Sequence, residues 1–424
     1  MKFLQTSDWH LGKFFYEHSL LEDQKYFLDQ IIIELNAESE KGCPYDALVV
    51  PGDIYDRAVP PAEAVTIFNS FLNKVHSDFP ALKMFFLAGN HDSASRLAFA
   101  SDFLAESNVF VCTDSQSEKI ACPVICGKKG EETAVYQLPF LTPLSIEAES
   151  DCEDKSEIIL RTQQDLYAHA LAKISALHNE KYPSMPSLIC AHLFTSGSEV
   201  SESERSFVGM AEQVDVNLFA PFSYAAVGHI HKNQAFLNGK VCYSGAPLAY
   251  SFGESDEKVM LRVCIEKKGV QVEKVPVKPL HKVVRLSGTF EEFYKSCISG
   301  TVKDELKSAY VEIQCTDSLP HENPMQLLRK GFPFILSFTR KVESSDCENG
   351  SIADRKTLLT SNAENPSAVF DMFIKEVSGI EVEISTEKKS GKTSAELEML
   401  ETNELLQKQK KIFIELLAKT ETAE

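Results

Sequence analysis

The sequence predicts an α/β layered fold over its first 280 residues, because short apolar runs alternate there with helical patterns. The runs are nearly continuous in apolar residues, as strands covered on both faces of a sheet must be. Each of the five runs ends in a polar cluster: KFLQTSD (2–8), DALVVPGD (46–53), LKMFFLAGNHD (82–92), SLICAHL (187–193) and SYAAVGHIH (223–231). A change of pattern near residue 281 predicts a second, smaller unit.

Helical spacing of apolar residues occurs between the runs and predicts helices at 19–38, 61–77 and 156–180. Two later segments, 241–254 and 259–277, have the composition of antiparallel strands, and a turn is expected at Lys267–Gly269. The first 280 residues are therefore predicted to form one domain of strands and helices in layers.

The rest of the chain is predicted as a small α+β domain over 281–385, followed by a linker and a C-terminal helix over 386–424. The small domain alternates strand and helix in the order KVVRLSG, FEEFYKSC, AYVEIQC, PMQLLRKG, FILSFTRKV and AVFDMFIKEV. The apolar stripe of 394–420 suits two roles equally well. The helix either docks on its own domain or binds a groove of a partner protein.

Composition limits the class of protein. The chain has 424 residues, of which 43% are hydrophobic, and a net charge of −19. Its N-terminus lacks the features of a signal peptide, and no apolar run reaches the roughly 18 residues of a membrane span. Eleven scattered cysteines favour reduced thiols and a cytoplasmic protein. Cys122 and Cys126 lack the second pair that a zinc site needs.

The acidic balance argues mildly against a polyanionic partner, because lysine and arginine drive binding to phosphate. However, much of the acid is concentrated at 145–157 and 196–204, which have the composition of surface loops. Bound divalent cations would also invert the local charge of a site. Net charge is therefore weak guidance to the substrate.

Metal-ligand side chains stand where the five runs end. Sites in open α/β sheets lie beyond the carboxyl ends of the strands, so these side chains are expected to converge. They are Asp8, His10, Asp53, Asp56, Asn90, His91, Asp92, His192, His229 and His231. Imidazole and carboxylate donors without cysteine suit Mn, Fe or Zn at a hydrolytic site, and the residues alone do not choose among these metals.

Each of these signals is weak alone, and the order and placement of all five carry the inference. Trp9, inside the first motif, is predicted to pack beneath the site. The remaining histidines have no strand-end context and are predicted to be surface or capping residues: His18, His76, His169, His178, His281 and His321.

The motifs D-x-H, G-D-x-x-D-R, G-N-H-D, a lone His and G-H-x-H, in that order, resemble the calcineurin-like metallophosphoesterases. TSDWHLGK, GDIYDRAVPP, GNHDSASRL, YAAVGHIHK and YSGAPLAYSFGE are similar to the SbcD family, the nuclease subunits of bacterial SbcCD complexes. SLPHENPMQLLRKGFPFILSF, in the second unit, also resembles that family. The resemblance covers about 1–345, and it extends to the tail only in layout.

The resemblance implies a fold and a metal site. The fold would be a two-sheet sandwich flanked by helices over 1–280, with a capping domain at 281–385 and a partner-binding helix in 386–424. Two metal ions, Mn²⁺ in this family, would be bound by seven residues. One ion would bind Asp8, His10 and His231, and the other Asn90, His192 and His229. Asp53 would bridge the two ions.

The resemblance also implies roles for three neighbours of the metal ligands. His91 would contact the scissile phosphate or protonate the leaving oxygen. Asp56 would orient His91 and raise its pKa. Arg57 would hold a phosphate oxygen, although it equally suits a surface ion pair.

The implied function is a Mn-dependent DNA nuclease of the cytoplasm, with 3′→5′ double-strand exonuclease and hairpin or single-strand endonuclease activity. It would act on duplex ends and hairpins in repair, recombination and replication, as a homodimer within a heterotetramer with the coiled-coil ATPase SbcC. Two alternatives stay open. One is a small-molecule phosphodiesterase or protein phosphatase on the same fold, and the other is a non-catalytic scaffold.

Overall fold

The chain forms two compact units, Met1–Val284 and Arg285–Glu424. The computed structural model describes residues 1–113, 122–142, 162–201, 213–317, 319–341 and 408–413. The mixture of strands and helices confirms the predicted α/β class.

Strands contain about half of the residues in regular structure in the described part of the first unit. In chain order they are β1 (Lys2–Gln5), β2 (Phe14–Phe15), β3 (His18–Ser19), β4 (Ala47–Val50), β5 (Lys83–Leu87), β6 (Val109–Cys112), β7 (Val124–Cys126), β8 (Thr133–Leu138), β9 (Ser187–His192), β10 (Phe194–Thr195), β11 (Gln213–Val214), β12 (Tyr224–Gly228), β13 (Gln234–Phe236), β14 (Val241–Tyr243), β15 (Val259–Glu266) and β16 (Gly269–Pro276).

The helices of this unit are α1 (Leu21–Glu40), α2 (Ala62–Asp78), α3 (Ala94–Leu97), α4 (Ser101–Glu106) and α5 (Gln163–Lys181). The first two lie within two residues of their predicted ends at 19–38 and 61–77. The third predicted helix corresponds to α5. It begins at Gln163 because Thr162 forms a capping box with Asp165, which satisfies backbone groups at the helix start.

Two six-stranded sheets form the centre of the unit. The first has the order β16-β15-β1-β4-β5-β6, and β1, β4, β5 and β6 run parallel. The second has the order β13-β14-β12-β9-β8-β7, with β8, β9, β12 and β14 parallel. Because most neighbours in each sheet are parallel, the carboxyl ends of the central strands gather at one edge.

One expectation about the strands was wrong in part. Segments 241–254 and 259–277 were expected to form antiparallel strands, and β15 and β16 do form an antiparallel hairpin. However, β14 belongs to the second sheet, where it pairs in parallel with β12 and antiparallel with the short β13. The chain after Tyr243 is not a strand, because it turns instead toward the metal-ligand residues.

The two sheets pack face to face. A single buried cluster combines Phe3 and Val49 of the first sheet with Leu188 and Tyr224 of the second. The rings of Phe3 and Tyr224 meet edge to face at 5.8 Å. Burying each such side chain contributes about 1.5–3 kcal/mol to the free energy of unfolding.

Helices cover the outer faces of the sandwich. Phe27 of α1 and Phe68 and Phe71 of α2 surround the fully buried ring of Trp9, with centroid distances of 5.5–6.3 Å. On the other side, α5 packs Leu166 and Ile174 into the core of the second sheet. The order of layers is therefore helix, sheet, sheet, helix.

The second unit has a small α+β arrangement in its described part. Its elements are β17 (Val283–Gly288), α6 (Phe290–Ser299), α7 (Asp304–Lys307), β18 (Tyr310–Cys315), α8 (Pro324–Leu328) and β19 (Ile335–Arg340). The three strands form one sheet in the order β17-β18-β19. The helix predicted at AVFDMFIKEV lies outside the described residues. Of the predicted tail helix only 408–413 is described, and it is helical.

Among the described residues, no helix combines the length and the apolar character needed to cross a membrane.

Candidate active site

Seven predicted metal-ligand side chains converge beyond the carboxyl ends of five parallel strands. Asp8 and His10 follow β1, Asp53 follows β4, and Asn90 follows β5. In the second sheet, His192 ends β9, and His229 and His231 follow β12. The sandwich thus draws together residues that lie more than two hundred positions apart in the sequence.

Asp8, His10 and His231 form one group of donors, here called the first cluster. Their ligand atoms all lie within 4.8 Å of one another. The Nε2 atoms of His10 and His231 are 3.1 Å apart. Two imidazole nitrogens that bind one ion at about 2.1 Å would be separated by about 3 Å. The spacing of the first cluster therefore fits a single cation.

Asn90, His192 and His229 form the second cluster. The Oδ1 atom of Asn90 lies 2.9 Å from His192 Nε2 and 3.0 Å from His229 Nδ1. These distances again suit three donors around one ion.

Asp53 lies between the clusters. Its Oδ2 atom is 3.7 Å from His10 Nε2 of the first cluster and 3.4 Å from His192 Nε2 of the second. Its Oδ1 atom accepts a hydrogen bond from the backbone N–H of His91 at 3.0 Å. One carboxylate therefore faces both clusters, as a bridging ligand must.

Three histidines of the site are held neutral. Burial lowers the pKa of His10 and of His229 to about 3, and it lowers the pKa of His231 well below its usual range. Neutral imidazole is the form that binds metal ions. These residues are therefore ready to act as ligands at neutral pH.

The pKa values of the other titratable donors, Asp8, Asp53 and His192, respond differently to the same burial. Burial, together with the charge of Asp53, raises the pKa of Asp8 to about 8. Burial favours neutral His192, but the charge of Asp53 outweighs it and raises the pKa of His192 to about 9. Burial alone would raise the pKa of Asp53. His192 and other nearby histidines outweigh burial and hold this pKa well below its usual range. Cation binding would displace protons from Asp8 and His192.

Four of the seven donors have a left-handed backbone. The φ angles are 55° at Asp8, 45° at His10, 50° at Asp53 and 106° at His229. Such conformations cost about 1–3 kcal/mol each in residues other than glycine, and they concentrate at functional sites. The surrounding sheets hold these residues in the strained shapes that direct their side chains into the site.

Neighbouring groups fix the orientation of the donors. His192 Nδ1 lies 2.9 Å from the carbonyl of Pro51, which can only accept, so Nε2 is the atom directed to the cluster. The carboxylate of Asp8 accepts hydrogen bonds from Ser7 Oγ at 2.5 Å and from the backbone N–H of His229 at 2.9 Å. Tyr167 donates to the carbonyl of His192 at 2.6 Å.

Two glycines allow the strand ends to approach closely. A Cβ atom on Gly52 would lie 2.1 Å from His192 Nδ1, and one on Gly89 would lie 2.1 Å from Asp53 Oδ1. A side chain at either position would displace a donor. The sequence showed both glycines beside predicted ligands, but the contacts themselves join residues far apart in the chain.

The predicted neighbours of the metal ligands lie at the same edge. His91 Nδ1 is 2.8 Å from the backbone carbonyl of Asp56, and its ring meets the His10 ring edge to face at 4.7 Å. The Asp56 carboxylate lies 2.6 Å from Lys13 Nζ and 3.8 Å from His10 Nδ1. Arg57 is 60% exposed, with its guanidinium 3.7 Å from Asp56.

Three residues that contact the candidate site were not predicted from the sequence. Lys13 contacts Asp56, Gln24 donates to the carbonyls of Trp9 and His10, and Tyr250 donates to the carbonyl of Trp9 at 2.6 Å. Lys13 stands inside the TSDWHLGK motif, so its place beside the site was visible. Tyr250 stands inside the YSGAPLAYSFGE motif, but neither Tyr250 nor Gln24 carried a local sign of its role, because only the folded chain brings them to the first motif.

Asp92 has a structural place at the edge of the site. Its carboxylate accepts hydrogen bonds from the backbone N–H groups of Ile54, Tyr55 and Gly89 at 2.9–3.0 Å. It thereby ties the loop after β4 to the loop after β5. Burial raises the pKa of Asp92 to about 6.

Among the other histidines, the prediction for His178 was wrong. It is buried on α5, where its ring lies 3.0 Å from Tyr136 Oη and 3.0 Å from the carbonyl of Met185. His178 is buried because it lies on the side of α5 that faces the core. The prediction considered only whether a histidine follows a strand, and therefore missed this position. Trp9 lies beneath the site as predicted.

Comparison with known proteins agrees with this geometry. The calcineurin-like phosphoesterase family matches residues 1–233. The SbcD component of the nuclease SbcCD from Staphylococcus epidermidis is 30% identical over 346 residues, which are 81% of this chain and 86% of the relative.

A crystal structure assigned as a 5′-nucleotidase of Staphylococcus aureus, in complex with α-ketoglutarate, is 12% identical with a TM-score of 0.35. The match covers 65% of this chain and 54% of that structure, and because its TM-score is below 0.5 it carries no argument about the fold. The family match and the 30% identical relative do carry one: the chain belongs to the calcineurin-like phosphoesterases and, within them, to the SbcD family.

Proposed function

We propose that this chain is a Mn²⁺-dependent DNA nuclease, acting as a 3′→5′ double-strand exonuclease and as an endonuclease on hairpins and single strands. The family and the donor clusters support the broader class, a metal-dependent phosphoesterase. The relative named as the SbcD component of the nuclease SbcCD supports DNA as the substrate.

One observation carries the proposal: a single carboxylate oxygen of Asp53 faces both donor clusters, at 3.7 Å and 3.4 Å from their imidazoles. Two divalent cations in such a site would neutralise the phosphoryl oxygens and lower the pKa of an attacking water. The chain contributes three donors to each ion and one shared donor. Seven donors on parallel strand ends form a rigid frame for the phosphodiester.

His91 is the proposed general acid. Its Nδ1–H donates to the carbonyl of Asp56 at 2.8 Å, so Nε2 is the atom proposed to deliver a proton to the leaving oxygen. The contact to the carbonyl supports an orienting role for Asp56. The carboxylate of Asp56 is in turn held by Lys13 at 2.6 Å. Arg57, largely exposed beside this group, is the proposed contact for a phosphate oxygen.

The proposed partners are DNA, a second copy of the chain and the ATPase SbcC, in a cytoplasmic heterotetramer that serves repair, recombination and replication. The name of the SbcCD relative supports the ATPase partner. Phe99 and Phe103 expose 82% and 77% of their surface beside α3 and α4, which supports an interface between two copies. The tail helix within 386–424 is the proposed binding element for the coiled-coil base of SbcC, and 281–385 is the proposed cap over the DNA.

The test compares two substrates in Mn²⁺. The chain, with and without SbcC and ATP, is incubated with linear duplex DNA labelled at either end, and with a small phosphomonoester. Degradation of the duplex from its 3′ ends supports the proposal. Hydrolysis of the monoester alone would establish the small-molecule or protein phosphatase alternative instead.

His91→Ala tests the chemistry within the same assay. The variant is expected to retain both metal ions by elemental analysis and to lose cleavage by about 10²–10⁴-fold. His76→Ala, on α2, is the matched control and should cleave normally. Unchanged cleavage by His91→Ala would refute the general-acid assignment, and absence of cleavage by the native chain with SbcC would favour a non-catalytic scaffold.

A further inference from the structure

A second group of metal-ligand side chains lies in the smaller unit, at the end of β18. Cys315 is the last residue of that strand and is fully buried. Asp317 follows two positions later and His321 six positions later. The Cys315 sulfur, an Asp317 oxygen and a His321 nitrogen all lie within 4.8 Å of one another.

Two of the three side chains are held in place by α6. Asp317 Oδ2 accepts hydrogen bonds from His321 Nε2 at 2.5 Å and from the backbone N–H of Phe290 at 3.0 Å. The His321 ring stacks on the Phe290 ring, with centroids 4.3 Å apart and planes 20° from parallel. The backbone N–H of Phe290 orients Asp317, and the Phe290 ring orients His321, as outer contacts do for the ligands of metal sites.

A purely structural explanation accounts for part of this group. Asp317 satisfies a backbone N–H at the start of α6 and pairs with His321, which would stabilise the loop without any ion. In that explanation the Cys315 thiol is only a weak hydrogen-bond donor to the Asp317 carboxylate, whereas a sulfur that faces a carboxylate and an imidazole is a strong ligand for a metal ion.

We propose that Cys315, Asp317 and His321 bind one Zn²⁺ ion, separate from the catalytic metals. Sulfur, nitrogen and oxygen donors together suit Zn²⁺, whereas the donors of the active site include no sulfur and suit Mn²⁺ as well. Three protein ligands leave a fourth tetrahedral position for water. The ion would fix the loop after β18 against α6, so the inference is independent of the proposed nuclease activity.

The two metal sites can be distinguished by absorption spectroscopy of the full chain loaded with Co²⁺. A thiolate bound to Co²⁺ gives an intense near-ultraviolet charge-transfer band, which the sulfur-free active site cannot produce. We expect this band in the native chain once all metal positions are filled, with the intensity of one thiolate-bound Co²⁺ per chain, and we expect added Zn²⁺ to abolish it. Absence of the band would overturn the proposal.

Variants assign the band to its residues. Cys315→Ala should remove it, and His321→Ala should weaken Co²⁺ binding at this site by at least about tenfold. Cys297→Ala is the matched control, because Cys297 lies on α6 of the same unit and is not among the metal-ligand groups, its sulfur lying 3.6 Å from the carbonyl of Leu328. A band that persists in Cys315→Ala, or disappears in Cys297→Ala, contradicts the assignment.

Alkylation of the native chain tests the proposal without depending on the folding of any variant. Thiols are labelled in mild denaturant with and without Zn²⁺, and the extent of labelling at each cysteine is read by mass spectrometry of peptides. Zn²⁺ should slow labelling of Cys315 and leave Cys297 unchanged. Equal labelling of Cys315 with and without Zn²⁺ would overturn the proposal even if the variants were unstable.

Discussion

The two clusters of the candidate metal site differ in their access to solvent. Asp8, His10 and His231 expose 0%, 1% and 7% of their surface. In the second cluster His192 is buried, whereas Asn90 is exposed and His229 is half-buried. The same number of donors therefore builds one enclosed position and one open position on either side of Asp53.

The surroundings explain the difference. The ring of Tyr250 packs edge to face against His10 and His231 at 5.3 Å and 5.4 Å, and Lys258 lies 3.4 Å from the carbonyl of His231. In the second cluster, the Phe140 ring stacks on one face of His229 at 6.2 Å. An enclosed ion exchanges slowly, and an open ion can meet an incoming phosphate. We therefore expect the first cluster to set metal affinity and the second to set access.

The largest effect is expected from Asp53→Asn, because both clusters share this carboxylate. Loss of the negative charge should reduce binding of both ions and lower DNA cleavage by about 10³-fold or more, since such charge stabilisation is worth several kcal/mol. Metal content and cleavage rate are measured together. Full retention of both ions would contradict the bridging position.

The variants Asp8→Asn and Asn90→Ala are expected to show that the two clusters differ in how tightly they bind their ions. Asp8→Asn removes a buried anionic donor, so one ion should be lost at all practical Mn²⁺ concentrations. Asn90→Ala removes a neutral, exposed donor, so the weakened site should recover part of its activity at high Mn²⁺. Calorimetric titration gives the number of ions bound, and the dependence of cleavage on Mn²⁺ gives the rescue. Equal rescue of the two variants would remove the distinction between the clusters.

The pKa of Asp8 predicts a smaller effect, in pH. Its value of about 8 in the metal-free chain lies above the ordinary 3.8. Protonation therefore favours the folded metal-free chain, and this contribution to stability is lost as pH rises from about 4 to about 8. Cations must expel the same proton, and this proton alone should make their affinity rise by up to about tenfold per pH unit between pH 6 and 8.

This prediction is measured as the difference in melting temperature between Mn²⁺-loaded and chelated protein. The difference should grow from pH 6 to pH 8 in the native chain. In Asp8→Asn the ion that remains binds without competition from a proton on residue 8, so the growth should shrink. A difference that stays constant with pH would contradict the raised pKa.

The smallest effect is expected from Tyr250→Phe. The hydroxyl donates to the carbonyls of Trp9 and Asp8 at 2.6 Å and 3.3 Å, and its loss should cost about 0.5–1.5 kcal/mol of unfolding free energy. The ring remains, so the first cluster should keep its ion. Tyr26→Phe, at an exposed position on α1, is the control in chemical denaturation.

The sequence was sufficient to predict where the strands end and which donors stand there. Strand ends such as VVPGD and FLAGNHD combine an apolar run with a polar cluster, and that local pattern survives folding because the strands are buried on both faces. The two-sheet arrangement came from the family resemblance, since the apolar pattern does not say which strands share a sheet. For this reason the sequence did not show that β14 pairs in parallel with β12 in the second sheet.

The contacts that hold the donors could not be predicted from the sequence. Pro51 orients His192 from the other sheet, and Gly52 and Gly89 matter only because a donor from a distant segment lies 2.1 Å from their missing Cβ atoms. The enclosure of the first cluster depends on Tyr250, which comes from a segment with no regular structure. Each of these is a property of pairs far apart in the chain, and no local pattern encodes it.

The wide separation of Asp8 and His231 in the chain has a consequence for biosynthesis. At about 5–20 residues per second, the ribosome adds the last of the seven donors some 10–45 s after the first. During that interval the nascent chain carries an incomplete set of ligands. Because each cluster draws its donors from both sheets, neither cluster can be complete before the strands of the second sheet have been synthesised.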